Sequence, residues 1–165
     1  MSGPPPVRPD PFAGPPPAVL DPRWLTPLTQ GVLRRRLAAW LVDLALIWLL
    51  IAVLAVAVLV LGVFTLGLAW GLYVILVPGT GILYSALTVG GPMGATPGMR
   101  LMSLKVVDAS TGRRIDAVQA AVHALFFYVA AATFVLWLLD VGLGVARSDR
   151  RLAHDVLVGV AVIRV

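Results

Sequence analysis

The sequence predicts an all-α integral membrane protein, and two observations lead to this prediction. Between Arg36 and Arg100 the chain runs for 63 residues with a single charged side chain, that of Asp43. The whole chain is 59% hydrophobic and 13% charged, whereas soluble domains contain about 25% charged residues. Because about 20 apolar residues cross the hydrocarbon core as a helix, this run is long enough for two crossings.

The first two transmembrane helices are predicted on either side of a short turn. The first helix opens around Val32 and continues to about Leu61, and residues 61–67 form an uncharged turn with two glycines. The second helix covers residues 68–89. Its Pro78 predicts a kink or a partly unwound turn at mid-depth, because proline removes a backbone hydrogen bond. Two interpretations remain open: the segment marks a site, or its small residues allow close helix packing.

A third apolar segment covers residues 117–144 and is preceded by a helix-capping pattern, Asp116 followed by Gln119. Its 28 residues are ample for one crossing and short for two. Short strands are predicted at residues 104–109 and 156–165, and we expect them to pair as a small cytoplasmic two-stranded element.

The distribution of arginines decides how the third segment is interpreted. Arg34, Arg35 and Arg36 place the N-terminus in the cytoplasm by the positive-inside rule. A full third crossing would carry the arginines of residues 147–164 to the outside and would separate the two strands. We therefore favour a re-entrant or bent third segment with a cytoplasmic C-terminus over one that spans the membrane.

Composition also limits the classes of partner and chemistry. Residues 1–30 hold ten of the 13 prolines and predict a disordered tail, which is either a spacer or a docking site for a proline-reading partner. The net charge of +5 comes from basic residues that flank apolar segments, so we expect the lipid bilayer and no nucleic acid as a partner. The absence of cysteine excludes disulfides and thiolate chemistry.

Asp43 is the first candidate functional residue, because an acid inside an apolar segment costs roughly 2.5 to 3.5 kcal/mol on insertion scales. Arg36 lies seven residues earlier on the same helical face, about 10 Å nearer the membrane surface at 1.5 Å rise per residue. Asp43 could be protonated, or could pair with a histidine or with a cation from the 91–105 loop. An ion or proton site and a structural pair that holds the helix to this loop are the two interpretations.

Three blocks of sequence resemble the RDD family of bacterial membrane proteins, which is named for one arginine and two aspartates. The blocks are Arg36-Leu-Ala-Ala-Trp-Leu-Val-Asp43, Thr96-Pro-Gly-Met-Arg100 with the strand after it, and Arg151-Leu-Ala-His-Asp155. The resemblance covers roughly residues 33–165 and implies an RDD membrane domain at residues 31–165. Met99 stands where the family commonly has lysine. Without this lysine, Arg100 becomes the stronger candidate for the counter-ion of Asp43. A proline-rich tail before the domain suggests an actinobacterial source.

The resemblance makes Arg36, Asp43 and Asp155 the signature residues and implies a multi-pass protein of the bacterial cell membrane. Its molecular role in the family is largely unassigned, with transport and cation/proton exchange suggested. For this small chain, transport would imply a homo-oligomer or a membrane-protein partner. The alternative is a non-catalytic scaffold or accessory protein that recruits partners through its tail.

The supporting residues carry alternatives of their own. Asp155 is expected to form a salt bridge with Arg100 or Arg151, or to act with His154 as a gating pair. His123 is expected to make an interhelical hydrogen bond or to serve in a proton relay, and Asp140 is taken as an interfacial carboxylate. We expect no enzymatic activity, no cofactor and no metal site, because neither the serines nor the two histidines show catalytic or ligand spacing.

Overall fold

The computed structural model of the protein describes residues 24–165, so most of the predicted proline-rich tail lies outside the described residues. The predicted tail extends to residue 30, but residues 24–30 belong to the described structure. Trp24 and helix α1 (Leu25–Leu28) pack on the small sheet, because the buried Leu25 contacts a cluster formed with Val107, Ala161 and Ile163.

Two helices are long and apolar enough to cross a membrane, as predicted. Helix α2 (Val32–Phe64) is followed by a 3-10 turn (Leu68–Leu72) that leads into helix α3 (Tyr73–Val89). Most large side chains in the middle of α2 are exposed and apolar, which suits contact with lipid.

Helix α3 continues through Pro78 without unwinding. Because an added Cβ at Gly81 would lie 2.5 Å from the Tyr128 ring, the small residues here serve close packing.

The third apolar segment is a bent pair of helices rather than one straight helix. Helix α5 (Ala117–Ala131) and helix α6 (Phe134–Ala146) meet at an angle of 119°. Asp116 accepts a hydrogen bond from the backbone of Gln119, which caps α5 as predicted. The Gln119 side chain donates instead to the carbonyl of Val158, so only half of the predicted capping box forms.

The small sheet pairs two strands that are distant in sequence. Strand β1 (Leu104–Asp108) follows the short helix α4 (Pro97–Leu101) and runs antiparallel to strand β2 (Val160–Arg164). The predicted second strand began at residue 156, but residues 153–158 form helix α7 (Ala153–Val158) because the Asp155 side chain accepts a hydrogen bond from the Leu152 amide and caps it.

The sheet places both ends of the bent pair on one side of the molecule. Val106 and Val162 are paired, buried, and packed with Val32 and Val89 at the outer ends of α2 and α3. The start of α2, the end of α3 and both strands therefore lie together. Because the bent pair connects β1 to α7 and β2, it leaves and returns on this same side of the molecule.

Candidate functional site

Polar groups in the interior form two separate sets of contacts. We call the first the Asp43 cradle, which consists of Asp43, Tyr84, Thr96 and Gly98. We call the second the His–Asp cluster, which consists of Arg36, His123, Asp140, His154 and Asp155. Helix α2 contributes one residue to each group, Asp43 to the first and Arg36 to the second. The two lie on the same face of this helix.

The Asp43 cradle joins α2 to α3 and to the start of α4. One oxygen of the Asp43 carboxylate accepts hydrogen bonds from the Tyr84 hydroxyl at 2.7 Å and from the Gly98 amide at 2.8 Å. The other oxygen accepts from the Thr96 hydroxyl at 2.5 Å. Thr96 also accepts from the Met99 amide and so caps α4 in the predicted way, with Pro97 in the first turn.

Asp43 is the member of these groups that has no cationic partner within residues 24–165. Its side chain is 7% exposed, and no arginine, lysine or histidine nitrogen of these residues lies within 4.0 Å of its carboxylate. Of the alternatives for Asp43, a pair with a histidine or with a cation of the 91–105 loop does not form, although this loop supplies the contacts of Thr96 and Gly98. Arg100 is exposed and donates to the Met93 sulfur instead.

The His–Asp cluster is centred on Asp155, which is fully buried in α7. Arg36 donates to both carboxylate oxygens, and one of them also accepts from His123 Nε2 at 2.8 Å. The prediction that Asp155 forms a salt bridge with Arg100 or Arg151 is therefore wrong. Arg151 bonds the backbone carbonyls of Val160 and Asp155 and so ties α7 to β2.

The charge state of Asp155 follows from these contacts. Burial alone would raise the pKa of the Asp155 carboxyl, but the Arg36 guanidinium and the hydrogen bond from His123 hold it well below its usual range. Arg36 reaches Asp155 from α2, while His123 reaches it from α5. The carboxylate therefore ties the long helix α2 and the bent pair to the C-terminal segment.

Asp140 belongs to this cluster, although the sequence suggested an ordinary interfacial carboxylate. Both its oxygens lie within 2.9 Å of His154 Nδ1, and one accepts from the His154 backbone amide as well. His154 Nε2 lies 3.3 Å from Asp155. The signal that could have revealed Asp140 is its place in an apolar segment, where an acid normally has a partner. The His123 contact fits the expected interhelical hydrogen bond.

This arrangement defines a class of protein: a helical protein with two helices able to cross a membrane, which buries carboxylates and histidines where its helices meet a small sheet. Comparison with known families matches residues 31–159 to the RDD family, so the chain belongs to that family. The match includes both the Asp43 cradle and the His–Asp cluster. No curated protein and no solved structure matches the chain.

Proposed function

We propose that this RDD-family protein is a non-enzymatic transport component of the bacterial cell membrane that exchanges a monovalent cation for a proton at Asp43. The observation that supports the proposal most is the buried Asp43 carboxylate, which has three neutral hydrogen-bond donors and no cationic partner among the described residues. A buried carboxylate without a counter-ion favours the binding of a positive species.

The chemistry of the cradle suits this exchange. When Asp43 is ionised, a cation can bind its carboxylate, and when the cation leaves, a proton can take its place, so the charge of the site is the same in both states. The hydroxyl groups of Tyr84 and Thr96 are donors that can also turn a lone pair toward a cation. Carboxylate and hydroxyl oxygens are hard ligands, which favours an ion such as Na⁺ or K⁺ over a transition metal.

The proposed arrangement in the membrane follows the arginine distribution. Arg34, Arg35 and Arg36 would place the start of α2, the sheet and the tail in the cytoplasm. A chain with two crossings and one bent pair is small for a carrier, so we expect it to work as a homo-oligomer or with a membrane-protein partner. The tail suits an actinobacterial member of the family.

A second function is favoured by the composition of residues 1–30. Their ten prolines suit a segment that a proline-reading partner binds, which would make the protein a scaffold or accessory subunit. In that case the Asp43 cradle would be a structural contact between α2 and the loop before β1, and Asp43 would have no role in flux.

Flux in liposomes distinguishes the two functions. Purified protein would be reconstituted with an internal pH dye, and Na⁺ and K⁺ gradients would be imposed in turn. We expect cation-dependent proton movement that Asp43→Asn abolishes, because the amide keeps the size of the side chain and cannot take up a proton. Asp116→Asn is the matched control, since Asp116 only caps α5 and asparagine caps a helix equally well.

The outcomes separate the functions as follows. No flux from a folded, reconstituted wild type would exclude Na⁺/H⁺ and K⁺/H⁺ exchange by this chain alone and would favour the scaffold. Flux that persists in folded Asp43→Asn protein would remove Asp43 from the mechanism.

A further inference from the structure

We infer that His123, His154 and Asp155 form a binding site for one divalent transition-metal ion of the zinc class. This site is separate from the Asp43 cradle, and the inference does not depend on the proposed transport. One ligand atom from each of the three residues lies within 4.8 Å of the other two, and all three residues are buried. That spacing brings three donor atoms close enough to share one ion.

The hydrogen bonds around His154 favour an ion at this position. His154 Nδ1 faces both oxygens of Asp140, so this nitrogen carries a hydrogen and donates it to the carboxylate. In a neutral imidazole the other nitrogen, Nε2, is then an acceptor, and it faces the Asp155 oxygen at 3.3 Å. Two acceptors that face each other repel, and a metal ion bound to both removes the repulsion.

His123 Nε2 lies 2.8 Å from the same Asp155 oxygen and donates a hydrogen to it when no ion is bound. With an ion in this place, His123 would carry its hydrogen on Nδ1 instead, which frees Nε2 to bind the metal. Two imidazole nitrogens and one carboxylate oxygen converge on one place from α5 and α7. This set of ligands is typical of zinc and of related first-row ions, which bind three protein groups and keep a further position for water. Calcium and magnesium prefer oxygen ligands alone, so the two histidines argue against them.

The groups around the three ligands support a metal as well. Asp140 holds His154 by its second nitrogen, as carboxylates commonly do behind metal-binding histidines. Arg36 argues against a bound cation, because its positive charge already pairs with the Asp155 carboxylate. Arg151 also lies close, because it bonds the Asp155 backbone carbonyl. Two carboxylates therefore face two arginines, and the ion would be held by its bonds to the three ligands rather than by an excess of negative charge.

The chain is well suited to a direct test, because its two histidines are both in the proposed site and it contains no cysteine. Full-length protein would be purified with an affinity tag that contains no histidine and stripped with a chelator. It would then be titrated with Co²⁺ and with Zn²⁺. We expect one ion per chain, and visible absorption bands from Co²⁺ in a nitrogen and oxygen environment. A folded wild type that binds neither ion would overturn the inference.

Variants and a ligand-sensitive measurement complete the test. Asp140→Asn should weaken Zn²⁺ binding about 10- to 100-fold, as expected for a residue behind a metal ligand. Asp116→Asn is the control and should not change binding, because Asp116 caps α5 away from the three ligands and asparagine caps equally well. His123→Gln should abolish binding, and a folded His123→Gln protein that binds as well as wild type would refute the site. If His123→Gln does not fold, X-ray absorption on the zinc-loaded wild type decides. Two imidazole ligands support the site, and a shell of oxygens alone contradicts it.

Discussion

Gly98, near the start of α4, fixes how closely this helix approaches α2. A Cβ added to Gly98 would overlap the Ala39 carbonyl oxygen and would lie 2.8 Å from the Asp43 carboxyl. Both neighbours belong to α2, and one is backbone, so neither can move aside easily. The Gly98 amide also donates to Asp43, and this contact needs the same close approach. The absence of a side chain at residue 98 is therefore part of the cradle.

We expect Gly98→Ala to destabilise the protein by about 1–3 kcal/mol, the usual cost of overpacking a tight contact. Gly142→Ala is the matched control, because an added Cβ there meets nothing within 4 Å. Thermal unfolding of both variants in detergent would be compared with that of wild type. Equal melting temperatures for Gly98→Ala and Gly142→Ala would show that the contact between α4 and α2 is not tight.

At this scale the sequence pointed to charged residues that the structure buries or partly buries, but it did not identify their partners. Asp43, Arg36 and Asp155 stand out as charges in or beside apolar segments. Their pairing could not be predicted, because Arg36 and Asp43 share a helical face and yet bond to different parts of the chain. Arg36 reaches Asp155, 119 residues later, and only the complete fold brings them together.

At the scale of secondary-structure elements, the transmembrane helices were predictable because hydrophobicity is a strong local signal. The starts of α4 and α5 were predictable from Thr96 and Asp116, since capping acts over three residues. The short helix α7 was missed. Its valine-rich sequence favours a strand, but tertiary contacts of His154 and Asp155 hold these residues in a helical turn.

The bend between α5 and α6 was anticipated from charge rather than from local sequence. Neither proline nor glycine lies in residues 131–134, so the chain offers little sign of where the helices separate. The contacts at the two ends explain why a bend is needed. Gln119 near the start of α5 bonds to Val158, and Asp140 in α6 bonds to His154, so both helices must reach α7.

For the whole molecule, the fold predicts that the sheet and both ends of the bent pair lie on one side of the membrane. Antiparallel pairing of β1 with β2 requires this arrangement, because the two strands flank the bent pair in sequence. The turn between α2 and α3 then lies on the opposite side. The arginines favour the cytoplasm for the side that carries the sheet.

Labelling of single cysteines in cells would test this topology, since the chain has no native cysteine. Met93→Cys, Leu68→Cys and Val165→Cys place thiols at exposed positions. We expect an impermeant thiol reagent to label residue 68 and to leave residues 93 and 165 unlabelled until the cells are opened. Labelling of residue 165 together with residue 68 in intact cells would mean that the bent pair crosses the membrane.

The central claim is that Asp43 exchanges a proton for a cation, and the most direct measurement observes its carboxyl group. All eight acidic residues of the chain are aspartates, so carbon-13 labelling of aspartate carboxyls gives eight NMR signals. The signal that disappears in Asp43→Asn belongs to Asp43. We predict that at constant pH this signal moves from the protonated to the ionised position when Na⁺ or K⁺ is added. A signal that stays at one position at every pH and cation concentration at which the protein is folded would contradict the account.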